Sequence, residues 1–246
     1  MPDKVVVQDI QKSFSTDNGR LSVIDGISFA VGEGKIVAIV GPSGCGKSTL
    51  MNIIAGFEKP DSGSVRVDGH ALQGPSRNGI VISQYGSVFP WLSVQQNLLF
   101  GVDQGDERER VARSDHYLGL VGLKGFERSY PHELSGGMLK RVEIARALMV
   151  KPEVLYMDEP FSALDALLSM RMRNELLRIL AADRHTVVLI THDVEEAIHL
   201  ADQVLVLSPR PTTIQARFEV PFPHPRKLTS PEAQALKESI LGELGL

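Results

Sequence analysis

Four short apolar runs punctuate the chain: KIVAIV at 35–40, EVLYMD at 153–158, HTVVLIT at 185–191 and QVLVLS at 203–208. All four predict strands, and the first three, uninterrupted by polar alternation, predict strands buried on both faces, as in a parallel sheet. Between them, STLMNIIAGF at 48–57 and ALLSMRMRNELLRIL at 166–180 carry apolar residues at helical spacing. Near the start, VVV at 5–7 reads as a strand. A turn at TDNG (16–19) follows it, and then LSVIDGISFAV at 21–31, which alternates as a strand does. The opening thirty-odd residues are therefore expected to form an antiparallel β lobe. SVRVDG (64–69) and NGIVIS (78–83) predict further strands, and 93–149 turns helical. The charged run DERERVARSD at 106–115 reads as a solvated helix face. Strands alternating with helices over 35–207 predict an α/β core with a parallel sheet, into which 93–149 is inserted as a helical subdomain. After Pro209 the composition shifts to PRP and PFPHPRK, which bracket a strand candidate, TIQARFEV. SPEAQALKESIL then offers Ser230 as an N-cap and Pro231 at the first helical position. The expected organisation is one domain over 1–208 and a C-terminal extension over 209–246.

Composition narrows the partners. At 246 residues the chain suits one large domain. Its single cysteine, Cys45, allows no intrachain disulfide and fits a reducing compartment. A formal net charge of −4 leaves no basic excess to displace counterions, which argues against a nucleic-acid partner. No apolar run approaches the roughly 20 residues that span a bilayer, and MPDKVVVQDI has no signal-peptide core. Membrane association is expected to go through a partner.

The chemistry begins at Gly41-Pro42-Ser43-Gly44-Cys45-Gly46-Lys47-Ser48, which matches G-x-x-x-x-G-K-[ST] between a predicted strand and a predicted helix. The glycines let backbone N–H groups curl around phosphates. Lys47 is expected to neutralise the outer phosphates, Ser48 to coordinate Mg²⁺, and Thr49 to donate to the inner phosphate. At 156–160, YMDEP puts Asp158 at the end of a buried strand, where it is expected to bind Mg²⁺. Glu159 follows, a candidate general base for a water beside the γ-phosphate. Together these motifs imply a nucleoside triphosphatase or a kinase.

A second anion cradle lies some ninety residues further on, in HELSGGMLKR at 132–141. Ser135, Gly136 and Gly137 open a predicted helix, where N–H groups and the macrodipole favour an anion. With LSGGM between GPSGCGKST and YMDEP, the chain resembles the ATP-binding-cassette (ABC) ATPases along nearly its whole length. The resemblance implies a P-loop NTPase core and further roles: Gln84 as the Q-loop glutamine and a Mg²⁺ ligand, Asp165 of SALD as the D-loop residue, His192 as the switch histidine, and Phe14 as the aromatic that stacks on adenine. It also implies a head-to-tail pair, with Ser135 and Gly137 reaching an ATP held by the other copy. FPWLSVQQNLLFG (89–101), YLGLVGLKGFERSYPHELSGGM (117–138) and VLVLSPRPTTI (204–214) resemble the nitrate, sulfonate and taurine importer ATPases. Ser83 departs from the family's usual Phe before the glutamine, TTI replaces Gly-Arg-Ile, and Met138 replaces the commoner Gln.

What the resemblance implies is a subunit with ATP and Mg²⁺ as cofactors, peripheral on the cytoplasmic face of the inner membrane. Its implied partners are a second ATPase subunit, transmembrane permease subunits and, through these, an extracytoplasmic solute-binding protein. Non-transport alternatives fit less well: DNA-repair ATPases of this type carry long coiled coils between the two motifs, translation-associated ones two cassettes per chain, and P-loop kinases have no use for LSGG. Trp91 is open to two readings, a groove for the permease or a core aromatic. His116 and His185 are expected at the surface, and Cys45 is expected to contribute mainly its backbone N–H.

Overall fold

The computed structural model describes residues 2–17, 19–76, 78–83, 86–162, 164–183 and 185–246. The four apolar runs form β3 (Ile36–Val40), β7 (Val154–Asp158), β8 (Thr186–Ile190) and β9 (Gln203–Leu207). With β6 (Gly79–Ile82) and β10 (Ile214–Glu219) they make one sheet in the order β10-β9-β3-β8-β7-β6. All neighbouring pairs are parallel except β10 with β9.

The reason these strands lack alternation is visible in the packing. Val37, Ile39, Val188, Ile190, Leu205 and Leu207 face one apolar cluster, and Ala38, Val40, Val187, Leu189, Val204 and Val206 face another. With period-2 side chains and two buried faces, every position must be apolar. The first cluster is closed by α1 (Lys47–Ile54) and by a second sheet of order β2-β1-β4-β5. That sheet comprises β1 (Asp3–Thr16), β2 (Gly19–Gly32), β4 (Ser62–Val67) and β5 (His70–Ala71). It is the antiparallel lobe, but β1 runs far beyond the VVV that marks it in sequence. Its register shifts at several bulges, so it does not keep one clean alternation.

The second cluster is closed by α2 (Val94–Leu99), α3 (Glu107–Leu120), α4 (Gly136–Met149), α5 (Ala166–Asp183), α6 (Val194–Leu200) and α7 (Pro231–Glu243). Asp106 caps α3 reciprocally with Glu109, so the charged run is a solvated helix. The helical insertion shares its core with the main sheet: Leu98, Leu118 and Val142 lie in the same cluster as Val40 and Met157. The C-terminal residues are woven in as well. β10 extends the sheet, α7 starts at the Ser230 cap, and the Arg226 guanidinium donates to Ile198 O (2.7 Å) and Ala201 O (2.6 Å) at the end of α6. His185, expected at the surface, is only 4% exposed, because its ring nitrogen contacts Pro152 O where β8 enters the core. His116 is exposed.

A buried charge network fixes α4 against the segment after β6. Lys140 Nζ lies 3.1 Å from Glu143 Oε2, with side-chain exposures of 5% and 1%, and donates to Ser83 O. Ser87 Oγ donates to Glu143 Oε1 (2.8 Å), and Arg146 donates to Ser87 while its guanidinium lies 4.9 Å from the Phe89 ring centroid. Breaking such a pair leaves a charge without compensation in the core. Glu143→Ala should therefore destabilise the fold by about 3–5 kcal/mol in urea denaturation, while Lys140→Met with Glu143→Leu should recover much of the loss. Equal losses in the single and double variants would show that the pairing does not matter.

Candidate active site

Parallel pairing brings the carboxyl ends of the strands level. Ile190 on β8 pairs with Ile39 on β3 and with Asp158 on β7, and Ile82 on β6 pairs with Met157. The residues just past these ends are Gly41, Thr191, Glu159 and Ser83, so the loops gather in one place, where open α/β sheets bind ligands. Gln84 lies outside the described residues.

The 41–49 loop is built for close backbone approach. Gly46 has φ 117° and caps α1 without a side-chain bond, and a Cβ there would meet Val23 Cγ1 at 2.7 Å. Only glycine fits both constraints. Gly44 also has positive φ (74°), and a Cβ on Gly41 would press on Leu207 Cβ at 3.0 Å. Lys47 is buried and donates to Gly41 O (2.8 Å) and Pro42 O (2.9 Å), which ties the start of the loop to the helix that follows. Cys45 is buried, and burial pushes its thiol pKa up against the nearby charges of Lys47 and Arg210. Ser43, Gly44 and Ser48 are exposed; Pro42 and Thr49 are half-buried.

Asp158 is 8% exposed, and desolvation raises its pKa, opposed by a hydrogen bond from the Ser48 side chain. A hydroxyl and a buried carboxylate in contact form a hard-oxygen pair suited to Mg²⁺, an ion held by few protein ligands plus water and phosphate oxygens. Glu159 adopts φ 49°, a left-handed conformation that costs a non-glycine residue about 1–3 kcal/mol. The neighbouring chain holds it there: its N–H donates to Ile190 O (2.9 Å), and its carbonyl accepts from Ser162 Oγ (3.0 Å). The turn sends Glu159 toward β8, where its Oε1 lies 3.3 Å from His192 Nδ1, while its charge adds to the causes that raise the Asp158 pKa.

The His192 loop is braced from below by residues that carry no motif. Asp193 caps α6 by accepting from Glu195 N (2.9 Å) and Glu196 N (3.2 Å), and it receives Arg173 Nη2 at 3.1 Å. Thr191 Oγ1 accepts from Asp193 N (3.0 Å) and donates to Glu196 Oε2 (2.8 Å). The Asp-x-Glu-Glu start of this helix is an N-cap signature legible in the sequence. Phe14 is 38% exposed on β1, opposite Leu21 and below the Lys12 ammonium, 5.2 Å from the ring centroid. Leu21 is two residues from Val23, the side chain that packs on Gly46. Asp165 caps α5 through Leu168 N (2.9 Å).

Ser135 caps α4, its hydroxyl accepting from Met138 N (3.3 Å). Ser135 and Gly136 are exposed and Gly137 half-buried, and the first turn of α4 carries no acid, whereas α3, α6 and α7 all do. Among the described residues no hydrogen bond or ion pair joins 134–137 to 41–49. The strand that carries the loop, β3, and β6, on which α4 packs, are separated by β8 and β7, three spacings or about 14 Å.

With this geometry in place, comparison with known proteins is decisive: a family model described as ABC transporter matches residues 24–162. The chain belongs to the ABC transporter family. The aliphatic sulfonates import ATP-binding protein SsuB of Bacillus subtilis is 37% identical over 97% of this chain and 93% of its own length. The nitrate import ATP-binding protein NrtD of Synechococcus elongatus is 42% identical over 89% of this chain and 81% of its own. The dimeric post-hydrolysis structure of the ATP-binding cassette MJ0796, bound to ADP and Pi, superposes with a TM-score of 0.79 at 26% identity, covering 89% of this chain and 99% of that one. This ABC protein is thus an ATPase that converts ATP to ADP and phosphate in the service of transport, on an α/β P-loop fold.

Glu196 supplies a pH test of the brace under His192. Desolvation foremost raises its pKa from 4.5 to about 7, opposed by the Thr191 bond and the Arg173 charge. The folded form therefore holds this proton more tightly than the unfolded one. Its contribution is fully present below pH 4.5 and is lost as pH rises through about 7. Glu196→Gln cannot ionise, so its Tm relative to the native protein should rise by several degrees from pH 5 to pH 8. A difference that stays flat across that range would contradict the burial of an ionisable carboxyl here.

Proposed function

We propose that this chain is the energising subunit of an importer for nitrate, sulfonate, taurine or a related small solute, working as a head-to-tail pair with a second ATPase subunit. The observation that carries the pairing is the separation of the two anion turns. The 41–49 loop would hold the phosphates of one ATP, with Phe14 against its adenine. The exposed turn at Ser135, Gly136 and Gly137 would close over the γ-phosphate held by the other copy, with Asp165 at the seam. The dimeric neighbour supports this arrangement.

In the closed pair, Glu159 would accept a proton from a water whose oxygen bonds to the γ-phosphorus. The bond to the bridging oxygen breaks, and ADP and phosphate result. His192, 3.3 Å from Glu159, would orient that carboxylate and sense the γ-phosphate. Ser48 and Asp158, with Gln84, would hold Mg²⁺, which neutralises phosphate charge when bound. Transition-state charge would be met by Lys47 and by the loop amides.

Coupling to transport needs a docking surface. Among the described residues no helix is long and apolar enough to cross a membrane. Trp91 is 70% exposed and not a core aromatic; with Phe100 it flanks Phe89, at centroid distances of 5.5 Å and 4.5 Å. We assign this patch to the permease, because the Arg146–Ser87–Glu143 network connects it to α4, whose first residues form the Ser135 turn. The subunit would then sit peripherally on the cytoplasmic face of the inner membrane, with an extracytoplasmic binding protein delivering solute to the permease.

Ser135→Arg tests the split site. ATP affinity of the isolated chain should stay near normal, while hydrolysis falls severely. Mixing it with a Lys47→Ala chain should restore part of the activity, because each mixed dimer has one composite site with both defects and one with neither. If Ser135→Arg instead abolishes ATP binding by the monomer as fully as Lys47→Ala does, both turns belong to one site.

A further inference from the structure

A loop that cradles phosphate with its amides turns its carbonyls outward, and each of those needs a donor. Gly41 O and Pro42 O accept from Lys47, and Gly46 O accepts from Leu50 N at 2.9 Å within α1. The donors to Gly44 and Cys45 come from far along the chain. Arg210 Nε donates to Gly44 O at 2.5 Å, and its Nη2 lies 3.5 Å from where a Gly44 Cβ would stand. The Thr212 hydroxyl, fully buried, donates to Cys45 O.

The segment that brings these donors is fixed at both ends. On one side, Ser208 N donates to Thr213 O (3.0 Å) and Thr213 N to Ser208 Oγ (3.0 Å), which closes the 208–213 turn directly after β9. On the other, the β1–β2 register skips Val23, passing from Lys12↔Ile24 to Ser13↔Ser22. That bulge leaves the Val23 carbonyl outside the β1 ladder, and Thr212 N takes it at 2.9 Å, while Asp25 N donates to Thr212 O at 2.9 Å. One residue thus joins β2 and the phosphate loop, and β2 itself presses on Gly46 through Val23.

We propose that Arg210 and Thr212 are positioning residues of the phosphate loop, acting from its outer face to hold the Gly44 and Cys45 peptides, and with them the curl of the loop, in place. The proposal rests on 41–49 being the phosphate site. Their effect falls on nucleotide binding. The water-activating carboxylate is on another strand, so KM for ATP should move and kcat should move less. Arg210 is exposed and touches the loop through its side chain, so replacing it need not disturb the fold. The guanidinium also places a positive charge behind the loop, where a polyanion would be held.

The test is a set of variants in the full chain, each measured for ATP affinity, KM, kcat and Tm, with Lys47→Ala as the reference. Arg210→Met should weaken ATP binding by about 10- to 100-fold, the scale of a charge-assisted hydrogen bond. Arg210→Lys should recover part of it. Thr212→Val, which keeps shape and loses the hydroxyl, should raise KM by about 3- to 10-fold, and Thr212→Ser should restore it. Normal ATP affinity in both Arg210→Met and Thr212→Val, alongside a Lys47→Ala chain that has lost it, would overturn the clamp and leave the phosphate site standing. A fall in Tm and kcat with KM unchanged would also overturn it, as a merely structural role. If Lys47→Ala itself binds ATP normally, the phosphate-loop reading fails and takes the clamp with it.

Discussion

The demand on which the proposed nucleotide site rests is that a backbone loop offer its amides to an anion and still satisfy its carbonyls. In this protein three residues from two separated parts of the chain meet that demand: Lys47 from the helix the loop opens, and Arg210 and Thr212 from the turn after β9. The glycines make the curl sterically possible, and Val23 fills the space where a side chain on Gly46 would have to sit. The antiparallel lobe and the C-terminal residues therefore support the 41–49 loop as much as the parallel sheet does. The boundary drawn at Pro209 from composition separates segments that hydrogen-bond across it.

The sheet supplies a second constraint. Burial on both faces keeps β3, β7 and β8 rigid and their ends level, so that short loops place Lys47, Asp158, Glu159 and His192 around one space. The left-handed turn at Glu159 leaves Asp158 with Ser48 and Glu159 with His192, while the Glu159 charge still adds to the desolvation that raises the Asp158 pKa. The α4 turn lies on the other side of that geometry. It packs at the β6 end, where its buried Lys140–Glu143 pair bonds Ser83 O and Ser87 Oγ, with its exposed N-terminus free of acids.

Much of this was legible in sequence, because its signals are local. Uninterrupted apolar runs marked the buried strands, and ordered motifs marked the loops at their carboxyl ends. What escaped is long-range. The bonds from Arg210 and Thr212 to the loop span 166 and 167 residues, and no period or spacing reports them. The Ser208-Pro209-Arg210-Pro211 segment stood out as a change of composition and a mark of resemblance, not as a support of the loop. Bulges hid most of β1, since each shift breaks the alternation that would reveal a strand. His185 was misplaced because a polar residue at the edge of an apolar run looks exposed until its carbonyl partner is known. The Lys140–Glu143 pair reads as ordinary helix-surface charge, yet it is buried, with Ser83 O and Ser87 Oγ bonded to it.

The central claim is that each ATP is shared between two copies, and the state of assembly tests it most directly. Sedimentation velocity of Glu159→Gln, which should bind ATP without turning it over, ought to show a monomer without nucleotide and a dimer with ATP. Adding Ser135→Arg to that chain should return it to a monomer while ATP remains bound. A Glu159→Gln chain that stays monomeric with ATP bound, or a double variant that still dimerises, would contradict the shared site.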